Sequence, residues 1–530
     1  MSSNSTQTTT GPGRTVYLET FGCQMNQLDS ELVTSQLEAL GYRFTDDRET
    51  ADVVLFNTCS VREQAENKVY SRLGELREKR AGQVVGVLGC MAERDGAGMV
   101  RRLRQVDVMA GPGELDKVAA LIDNAVRTRA PQIALQGNAN RRTGTLAAAA
   151  DRLELLDLAR STRPQHEAGR SSYVRITRGC NKFCTYCVVP FTRGAEVHRP
   201  PEHIVEECRR LADAGVVEIT LLGQTVNHYR YDHGAAVSID GVAQPQVGPG
   251  RDAFKRTDSR WNVGRNVTTF ADLLKRVHDE VPGVRRLRFV TSYPRDFGDD
   301  VLGVMAEAPR VCRYLHVPAQ SGSDRVLQAM NREYTAAEYV DFVDRARAFM
   351  PDLTLASDFI VGFPGETERD FEKTVDLVER CRFKNSFIFK YSPRPGTPAI
   401  DRFDDDVPEG EKRRRNNALL AVQQRISGEI HRAQVGKTFD VLVEGASAHA
   451  RRPGPGGAGG GVELRIGGLG PDARPRAGAA LADPPTTQLS GRTTGDLIVI
   501  FDGDESKVGR IVPVLIRDAK PLALFGEAEG

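Results

Sequence analysis

The sequence predicts an α/β protein built from an amino-terminal open parallel-sheet (Rossmann-like) domain, a partial (β/α)6 TIM-like barrel and a small carboxy-terminal β-barrel. Short apolar runs alternate with helix-length amphipathic segments in two blocks, over residues 14–129 and 170–400. Alternation of this kind is typical of parallel sheets joined by right-handed crossovers. A closing stretch over residues 427–517 alternates apolar and polar residues, which indicates short strands.

The first block is predicted to contain strands separated by helices such as Gln27–Leu40 and Ser60–Lys79. The predicted strands are Val16–Thr20, Asp52–Asn57, Val84–Leu88 and Val106–Met109. Residues 130–169 are rich in Arg, Ala and Thr and are predicted to form a linker, with a short helix from Ala147–Ala150 and Leu153–Leu158.

The second block is predicted to contain six strands, which is too few for a closed eight-stranded barrel. They are Tyr173–Thr177, Glu218–Leu222, Arg288–Thr291, Tyr314–Val317, Ala356–Val361 and Phe387–Tyr391. An insertion near residues 228–266, which carries Trp261, is predicted to be a flexible surface loop. A Gly-rich, low-complexity insertion near residues 446–490 divides the carboxy-terminal unit.

Composition excludes several classes of protein. The 530 residues suggest about three or four domains, and the net charge of +1 argues neither for nor against a nucleic-acid partner. Nine cysteines without a compact framework indicate thiols or metal ligands rather than disulfides. Residues 1–13 read as a disordered tail, and no apolar run is long enough to cross a bilayer. We therefore expect a cytoplasmic protein without a membrane partner.

The most informative motif is the C-x3-C-x2-C spacing of Cys180, Cys184 and Cys187. A cubane iron–sulfur cluster normally takes four Cys thiolates, so three leave one iron open for chemistry. A structural zinc site would be closed by a fourth ligand at short spacing, and the next candidate, His198, lies too far along the chain. The spacing favours a cluster over zinc and over three buried free thiols.

A second triad follows the predicted strands of the first block. Cys23, Cys59 and Cys90 each come just after the carboxyl end of a strand. Those ends share one edge of an open parallel sheet, where ligands bind. The alternative is three independent core cysteines, but repetition at one topological position favours a second cluster with three Cys ligands.

Several motifs carry a resemblance to a known family. The chain is similar, over nearly its whole length, to the radical S-adenosylmethionine (SAM) methylthiotransferases, and its Gly22-Cys-Gln-Met-Asn loop resembles the MiaB-type branch that modifies tRNA. The motifs are Phe21-Gly-Cys-Gln-Met-Asn, Asn57-Thr-Cys-Ser-Val-Arg-Glu, Gly89-Cys-Met-Ala-Glu, Gly179-Cys-Asn-Lys-Phe-Cys-Thr-Tyr-Cys-Val-Val-Pro, Gln320-Ser-Gly-Ser, Ile360-Val-Gly-Phe-Pro-Gly-Glu and Tyr391-Ser-Pro-Arg-Pro-Gly-Thr-Pro-Ala.

The resemblance implies a methylthiotransferase amino-terminal domain, a radical SAM barrel and an RNA-binding TRAM-like domain. It further implies two 4Fe–4S clusters and SAM as cofactors, tRNA carrying N6-isopentenyladenosine as substrate, and methylthiolation of carbon 2 of that base. An electron donor such as flavodoxin or ferredoxin is expected, and the chain is expected to act as a monomer.

The resemblance also suggests which residues contact SAM. Tyr186 would meet the adenine, although a simple packing role is equally open. Gln224 would reach the SAM amino group, and Ser321 and Ser323 would reach the ribose or carboxylate. Gly362 would let the backbone approach the cofactor.

Basic residues are the candidates for RNA contacts. The basic run Lys412–Arg415 and Arg193 are candidates for phosphate contacts, with a solvated surface as the alternative. Cys208, Cys312 and Cys381 are interpreted as core thiols, since Cys208 and Cys381 lie on apolar helix stripes.

Two alternatives to the tRNA isopentenyladenosine activity stay open. The first keeps the enzyme but moves the substrate to threonylcarbamoyl-adenosine in tRNA or to a ribosomal protein. The second is of another class, a non-catalytic RNA-binding protein with a metal cluster.

Overall fold

The structure is a computed structural model that describes residues 13–60, 63–76, 82–136, 151–160, 170–248, 266–447 and 487–529. The predicted tail, apart from Gly13, lies outside the described residues.

The amino-terminal domain is the open parallel sheet that the sequence predicts. All neighbouring strands are parallel, in the order β2-β1-β3-β4-β5-β6. The strands are β1 (Thr15–Thr20), β2 (Arg43–Phe44), β3 (Val53–Thr58), β4 (Val84–Gly89), β5 (Val108–Ala110) and β6 (Gln132–Ala134), and the helices are α1 (Gln24–Ala39), α2 (Glu63–Glu75), α3 (Cys90–Arg102) and α4 (Val118–Thr128). Strands β3 and β4 are buried on both faces, which explains their continuous apolar sequences.

This sheet extends beyond the predicted boundary at residue 129. Strand β6 pairs with β5 and belongs to the same sheet, although its three residues are too few for a recognisable period. The remainder of the predicted linker contains α5 (Arg152–Leu158), which begins at an Asp151 cap whose carboxylate accepts from two backbone N–H groups. Ala147–Ala150 lie outside the described residues.

The second domain is a partial (β/α)6 barrel, as predicted. It is made of two three-stranded parallel sheets, β7-β10-β16 and β17-β18-β19, joined by a bridge between Leu287 and Val311. Its elements, with the short strands of the intervening loops, are β7 (Ser171–Arg175), β8 (Thr177–Arg178), α6 (Val189–Thr192), β9 (Val197–His198), α7 (Pro201–Asp213), β10 (Glu218–Leu222), β11 (Arg230–Asp232), β12 (Ser238–Ile239), β13 (Val242–Ala243), β14 (Gln246–Val247), β15 (Val267–Thr269), α8 (Phe270–Glu280), β16 (Arg286–Phe289), α9 (Asp299–Glu307), β17 (Tyr314–His316), α10 (Asp324–Ala329), α11 (Ala336–Phe349), β18 (Thr354–Val361), α12 (Glu368–Cys381), β19 (Asn385–Lys390), α13 (Pro398–Arg402) and α14 (Glu409–Arg432).

The insertion between β10 and α8 differs from the predicted flexible loop. In its described part, β11 pairs with β15 and β14 pairs with β9, beside the first barrel strands. Strands of two or three residues give no detectable alternation, so the sequence pattern missed them. Trp261 lies outside the described residues.

The carboxy-terminal unit is a closed barrel in the order β20-β21-β22-β24-β23. Its strands are β20 (Thr438–Ala446), β21 (Thr487–Arg492), β22 (Ile498–Gly503), β23 (Ile511–Lys520) and β24 (Ala523–Ala528). The predicted bounds of 427–517 are shifted, because residue 427 lies within α14 and β24 closes the barrel beyond 517. The low-complexity run lies outside the described residues.

The two smaller units cover different parts of the central barrel. Tyr173, Leu222 and Val290, on or next to β7, β10 and β16, pack into the same apolar cluster as Leu28 and Leu32 of the amino-terminal domain. The carboxy-terminal barrel instead contacts the amino-terminal ends of the strands, where Arg286 Nη1 donates to the Arg492 carbonyl at 2.7 Å. The carboxyl ends of the strands therefore lie away from the carboxy-terminal barrel.

Candidate active site with two cysteine triads

Cys23, Cys59 and Cys90 are brought together by the amino-terminal sheet. Cys23 caps α1 after β1, Cys59 follows β3, and Cys90 is the first residue of α3 after β4. Since β1, β3 and β4 are adjacent, their carboxyl ends meet at one edge. The Cys23 thiol hydrogen-bonds with Cys59 and interacts electrostatically with Cys90.

Two asparagines of the cysteine motifs hold these loops in place. Asn26 Nδ2 donates to Asn57 Oδ1 at 3.1 Å and to the Thr58 carbonyl at 2.9 Å, and Asn57 Nδ2 donates back to the Asn26 carbonyl. Gly22 allows the close approach, because a Cβ there would lie 2.4 Å from Cys59 Cβ. The motif residues around Cys23 and Cys59 therefore join the carboxyl ends of β1 and β3 by hydrogen bonds.

Arg193 of the barrel reaches into this triad. Its Nη2 donates to Asp29 Oδ2 at 2.7 Å, and its charge acts on both Cys23 and Cys90. The hydrogen bond with Cys59, assisted by Arg193, lowers the pKa of Cys23 to about 6, whereas burial raises the pKa of Cys90. The predicted phosphate contact for Arg193 is wrong in this structure, because its side chain is buried between the two domains.

The second triad lies in the loop between β8 and α6. Gly179 has a φ of +71°, and a Cβ there would fall 2.0 Å from the Ala195 carbonyl oxygen. The Cys187 N–H donates to the Cys184 carbonyl at 3.0 Å, and Cys180 Sγ lies 3.9 Å from Thr225 Oγ1. Burial raises the pKa of Cys180 to about 12 and also raises the pKa of Cys187, so both thiols are protonated near neutral pH and a metal that binds them must displace the protons.

The donor sets fit iron–sulfur clusters. Each triad offers three sulfur atoms, and thiolate sulfur is the preferred ligand of such clusters. Among the described residues, no group of three or more His, Cys, Asp or Glu side chains surrounds a single point where one metal ion could sit. A cubane needs no such convergence, since each thiolate binds a different iron.

The predicted SAM contacts lie around the second triad in different environments. Tyr186 is half-buried and packs beside Met330, Phe363 and Tyr391, and burial raises its pKa well above the usual value. Gln224 follows β10 and is half-buried at the carboxyl end of the barrel. The contacts of both residues with SAM stay predictions.

The side chains of Ser321 and Ser323 point toward α12, and Gly362 approaches α14. Ser323 Oγ donates to Asp370 Oδ1 at 2.6 Å, and Ser321 Oγ lies 3.3 Å from Thr374 Oγ1, so both side chains contact α12. Gly362 has a φ of +71° after β18, and a Cβ there would lie 2.4 Å from Lys412 Cγ. The predicted contacts of these three residues with SAM stay predictions. Since the serine side chains are engaged by α12, the backbone of each residue is the part available to SAM.

The sequence patterns missed a polar pair inside the barrel. His316 Nε2 lies 2.9 Å from Asp358 Oδ1, across β17 and β18, and both side chains retain some solvent exposure. Ser292 Oγ nearby is buried and has no hydrogen-bond partner among the described residues, and Thr291 has a φ of +68°. Strained β-branched residues and unpaired polar atoms tend to mark functional sites. The sequence contains one indication of Asp358: it is a charged residue within the otherwise mostly apolar predicted strand Ala356–Val361.

The basic run of α14 is structural rather than a free phosphate site. Lys412 Nζ lies 2.6 Å from Asp405 Oδ1, and Arg415 is buried against Glu366 at 3.1 Å. Arg414 pairs with Glu368 and Glu411. Three of the four cations of the run are thus neutralised by carboxylates.

Fold and site together define a radical SAM enzyme. Residues 15–111 match the uncharacterized protein family UPF0004, residues 174–378 match the radical SAM superfamily, and residues 482–528 match the TRAM domain. A solved radical SAM methyltransferase, TsrM from Kitasatospora setae, is 16% identical with a TM-score of 0.46, covering 73% of this chain and 77% of that chain.

Two curated relatives identify the family more closely. The tRNA-2-methylthio-N(6)-dimethylallyladenosine synthase of Rhodopirellula baltica is 42% identical over 97% of this chain and 96% of its own length. The synthase of the same name from Chromobacterium violaceum is 40% identical over 97% of this chain and 98% of its own length. The chain belongs to the tRNA-2-methylthio-N(6)-dimethylallyladenosine synthase family. Its cofactors are SAM and two 4Fe–4S clusters.

Proposed function

We propose that this chain adds a methylthio group to carbon 2 of N6-isopentenyladenosine in tRNA. The observation that carries the proposal is the pair of cysteine triads, each one ligand short of a full cluster and both anchored to the same short segment, Cys187 to Arg193. A reaction that breaks an unactivated C–H bond and then inserts sulfur needs two different open metal positions near one substrate atom.

Cys180, Cys184 and Cys187 would hold the SAM-binding cluster, and Cys23, Cys59 and Cys90 would hold the second. When bound, these groups supply reductive cleavage of SAM to a radical and an iron position that carries sulfur. The chain's own residues bind SAM through the side chains of Tyr186 and Gln224 and through the backbone at Ser321, Ser323 and Gly362.

The short helix α6 links the two triads. It begins two residues after Cys187, and Thr192 at its end hydrogen-bonds with Cys90. Arg193 then binds Asp29 of α1. This segment sets the distance between the two centres, because both of its ends are tied to buried groups.

The barrel interior offers recognition for the base. His316 and Asp358 present polar atoms, and Phe387, whose ring lies 6.2 Å from that of His316, provides an apolar neighbour for the isopentenyl group. A base of the anticodon loop can be unstacked to reach such a site, since single-stranded loops are readily splayed. We propose that these side chains contact the modified adenine.

The remaining partners follow from the reaction. Reductive cleavage of SAM needs a low-potential one-electron donor such as flavodoxin or ferredoxin. We expect the chain to act as a monomer in the cytoplasm, where tRNA is modified. None of the helices in the described part of the chain is both long and apolar enough to cross a membrane.

Analysis of tRNA from a deletion strain tests the proposal. Nucleoside hydrolysates examined by mass spectrometry should lack 2-methylthio-N6-isopentenyladenosine and accumulate N6-isopentenyladenosine. Re-expression of the chain should restore the product. Unchanged levels would refute the proposal, while loss of methylthio-threonylcarbamoyl-adenosine or of a ribosomal-protein modification would move the substrate to the alternative branches.

A further inference from the structure

Arg332 contacts a ligand of the SAM-binding cluster directly. It follows α10, is buried, and its Nη1 donates to Cys184 Sγ at 3.5 Å. Its Nη2 donates to the Pro318 carbonyl at 2.8 Å and its Nε to the Tyr334 hydroxyl at 2.9 Å. All three nitrogens are therefore engaged, which fixes the plane of the guanidinium against the sulfur.

The charge of Arg332 has no carboxylate partner among the described residues. Several other buried arginines do have one, since Arg175 pairs with Asp157, Arg199 with Glu154 and Arg415 with Glu366. Arg286, which is also buried, is bound by two backbone carbonyls. Arg332 instead lies 4.6 Å from the ring centroid of Tyr293 and 5.0 Å from that of Tyr334. A buried cation without a counter-ion is costly, so this arrangement calls for a negative group beside Cys184.

A cluster held by three thiolates supplies that negative charge. Its charge becomes more negative by one unit when it accepts an electron, and a buried cation at hydrogen-bond distance from a ligand sulfur stabilises the reduced form more than the oxidised form. Hydrogen bonds to cluster sulfurs are among the factors that set reduction potentials.

We propose that Arg332 is a positioning residue that raises the reduction potential of the SAM-binding cluster through its hydrogen bond to Cys184. This inference rests on the proposed assignment of Cys184 as a cluster ligand. Easier reduction widens the range of one-electron donors that can start SAM cleavage.

A reductive titration of the full chain tests this role. The Cys23→Ala/Cys59→Ala/Cys90→Ala chain, reconstituted anaerobically, should contain a single cluster, whose midpoint potential is measured with Ti(III) citrate by electron paramagnetic resonance. Arg332→Gln and Arg332→Lys are compared in this background. Arg310→Gln is the matched control, because Arg310 donates to the Val281 and Val284 carbonyls and to no cysteine among the described residues.

We expect Arg332→Gln to shift the midpoint to more negative values at an unchanged iron content, Arg332→Lys to shift it less, and Arg310→Gln to leave it unchanged. Equal midpoints in Arg332→Gln and its parent would overturn the proposal. If Arg332→Gln fails to hold iron, the midpoint potentials of Arg332→Lys and Tyr334→Phe are compared with that of the parent. Unchanged potentials in both variants would overturn the proposal. Because the titration contains no tRNA, its outcome is independent of the substrate proposed above.

Discussion

Cysteine shows how strongly the surroundings of one residue type determine its chemistry. Cys208, Cys312 and Cys381 are buried in the barrel domain, and burial raises the pKa of Cys312 to about 11 and of Cys381 to about 12. Their interpretation as core thiols is confirmed by this burial. Cys23 lies beside Cys59 and near Arg193, which lower its pKa to about 6. The thiol of Cys23 therefore ionises more readily than the three core thiols, while burial raises the pKa of its neighbour Cys90.

Single substitutions in the two triads should have different consequences. Cys184→Ala should abolish SAM cleavage and remove about four irons per chain, since a cubane contains four irons. Cys59→Ala should remove a similar amount of iron but leave SAM cleavage intact while stopping product formation. Iron analysis and quantification of 5′-deoxyadenosine measure both effects, with Cys208→Ala as the control. Identical behaviour of the two triad variants would contradict a division of labour.

Loop elements carry the strictest conformational demands in this molecule. The loop of the second triad begins at Gly179, whose φ of +71° and contact with the Ala195 carbonyl exclude a side chain. The carbonyl of Phe183 in the same loop accepts from Asn331 Nδ2 at 2.8 Å, which joins the loop to the end of α10. The loop is therefore held both by its own Gly179 and by contacts with the segments at Ala195 and Asn331.

A methyl group at Gly179 should displace this loop. Gly179→Ala must adopt a left-handed backbone at a cost of about 1–2 kcal/mol and must also push the Ala195 carbonyl away. Gly215→Ala is the matched control, because Gly215 has a φ of +93° but a Cβ added there would have no described atom within 4 Å. Both variants should lose stability in thermal unfolding, whereas only Gly179→Ala should lose iron. Equal iron content in the two would show that the loop tolerates the displacement.

At the scale of the whole molecule, buried charges attach the carboxy-terminal barrel to the central one. Asp496, in the turn between β21 and β22, lies 2.5 Å from Lys384 Nζ and 2.8 Å from Arg492 Nη1. Burial opposes ionisation, but Lys384, Arg492 and Arg288 hold the pKa of Asp496 well below its usual range. The docked arrangement places the RNA-binding domain at the opposite end of the strands from the cysteine loop.

Removal of this charge should loosen the docked arrangement in a pH-dependent way. Asp496→Asn should cost about 3–5 kcal/mol, as for other broken buried pairs. The pKa of Asp496 in the folded state lies below that of an unfolded aspartate, about 3.9. The stabilisation by ionised Asp496 is therefore complete above about pH 5 and declines as the pH falls below that value. The gap between wild type and variant in urea unfolding of the iron-free chain should therefore narrow from pH 5 toward pH 3. Asp502→Asn, at an exposed position on β22, should show no such gap.

The sequence predicted positions correctly where regular backbone geometry alone determines where a residue lies. The strand Glu218–Leu222 was predicted with its observed bounds, and Cys23, Cys59 and Cys90 meet because parallel strands share an edge. Prediction failed for contacts between distant segments. Arg332 and Cys184 are 148 residues apart, and Arg193 and Asp29 are 164 residues apart, so no local period reveals either pair.

The sequence by itself determined the number of thiolates, their division into one loop triad and one triad at three strand ends, and the order of the three domains. Spacing and alternation are local consequences of covalent geometry. Only the tertiary structure decided which cations serve the site and which are structural. Arg332 lies against Cys184, and Arg193 pairs with Asp29 beside Cys23 and Cys90, whereas Lys412 and Arg415 pair with carboxylates away from both triads. The reason is physical: the partner of a buried charge depends on how separate elements dock, and docking is a property of the whole fold.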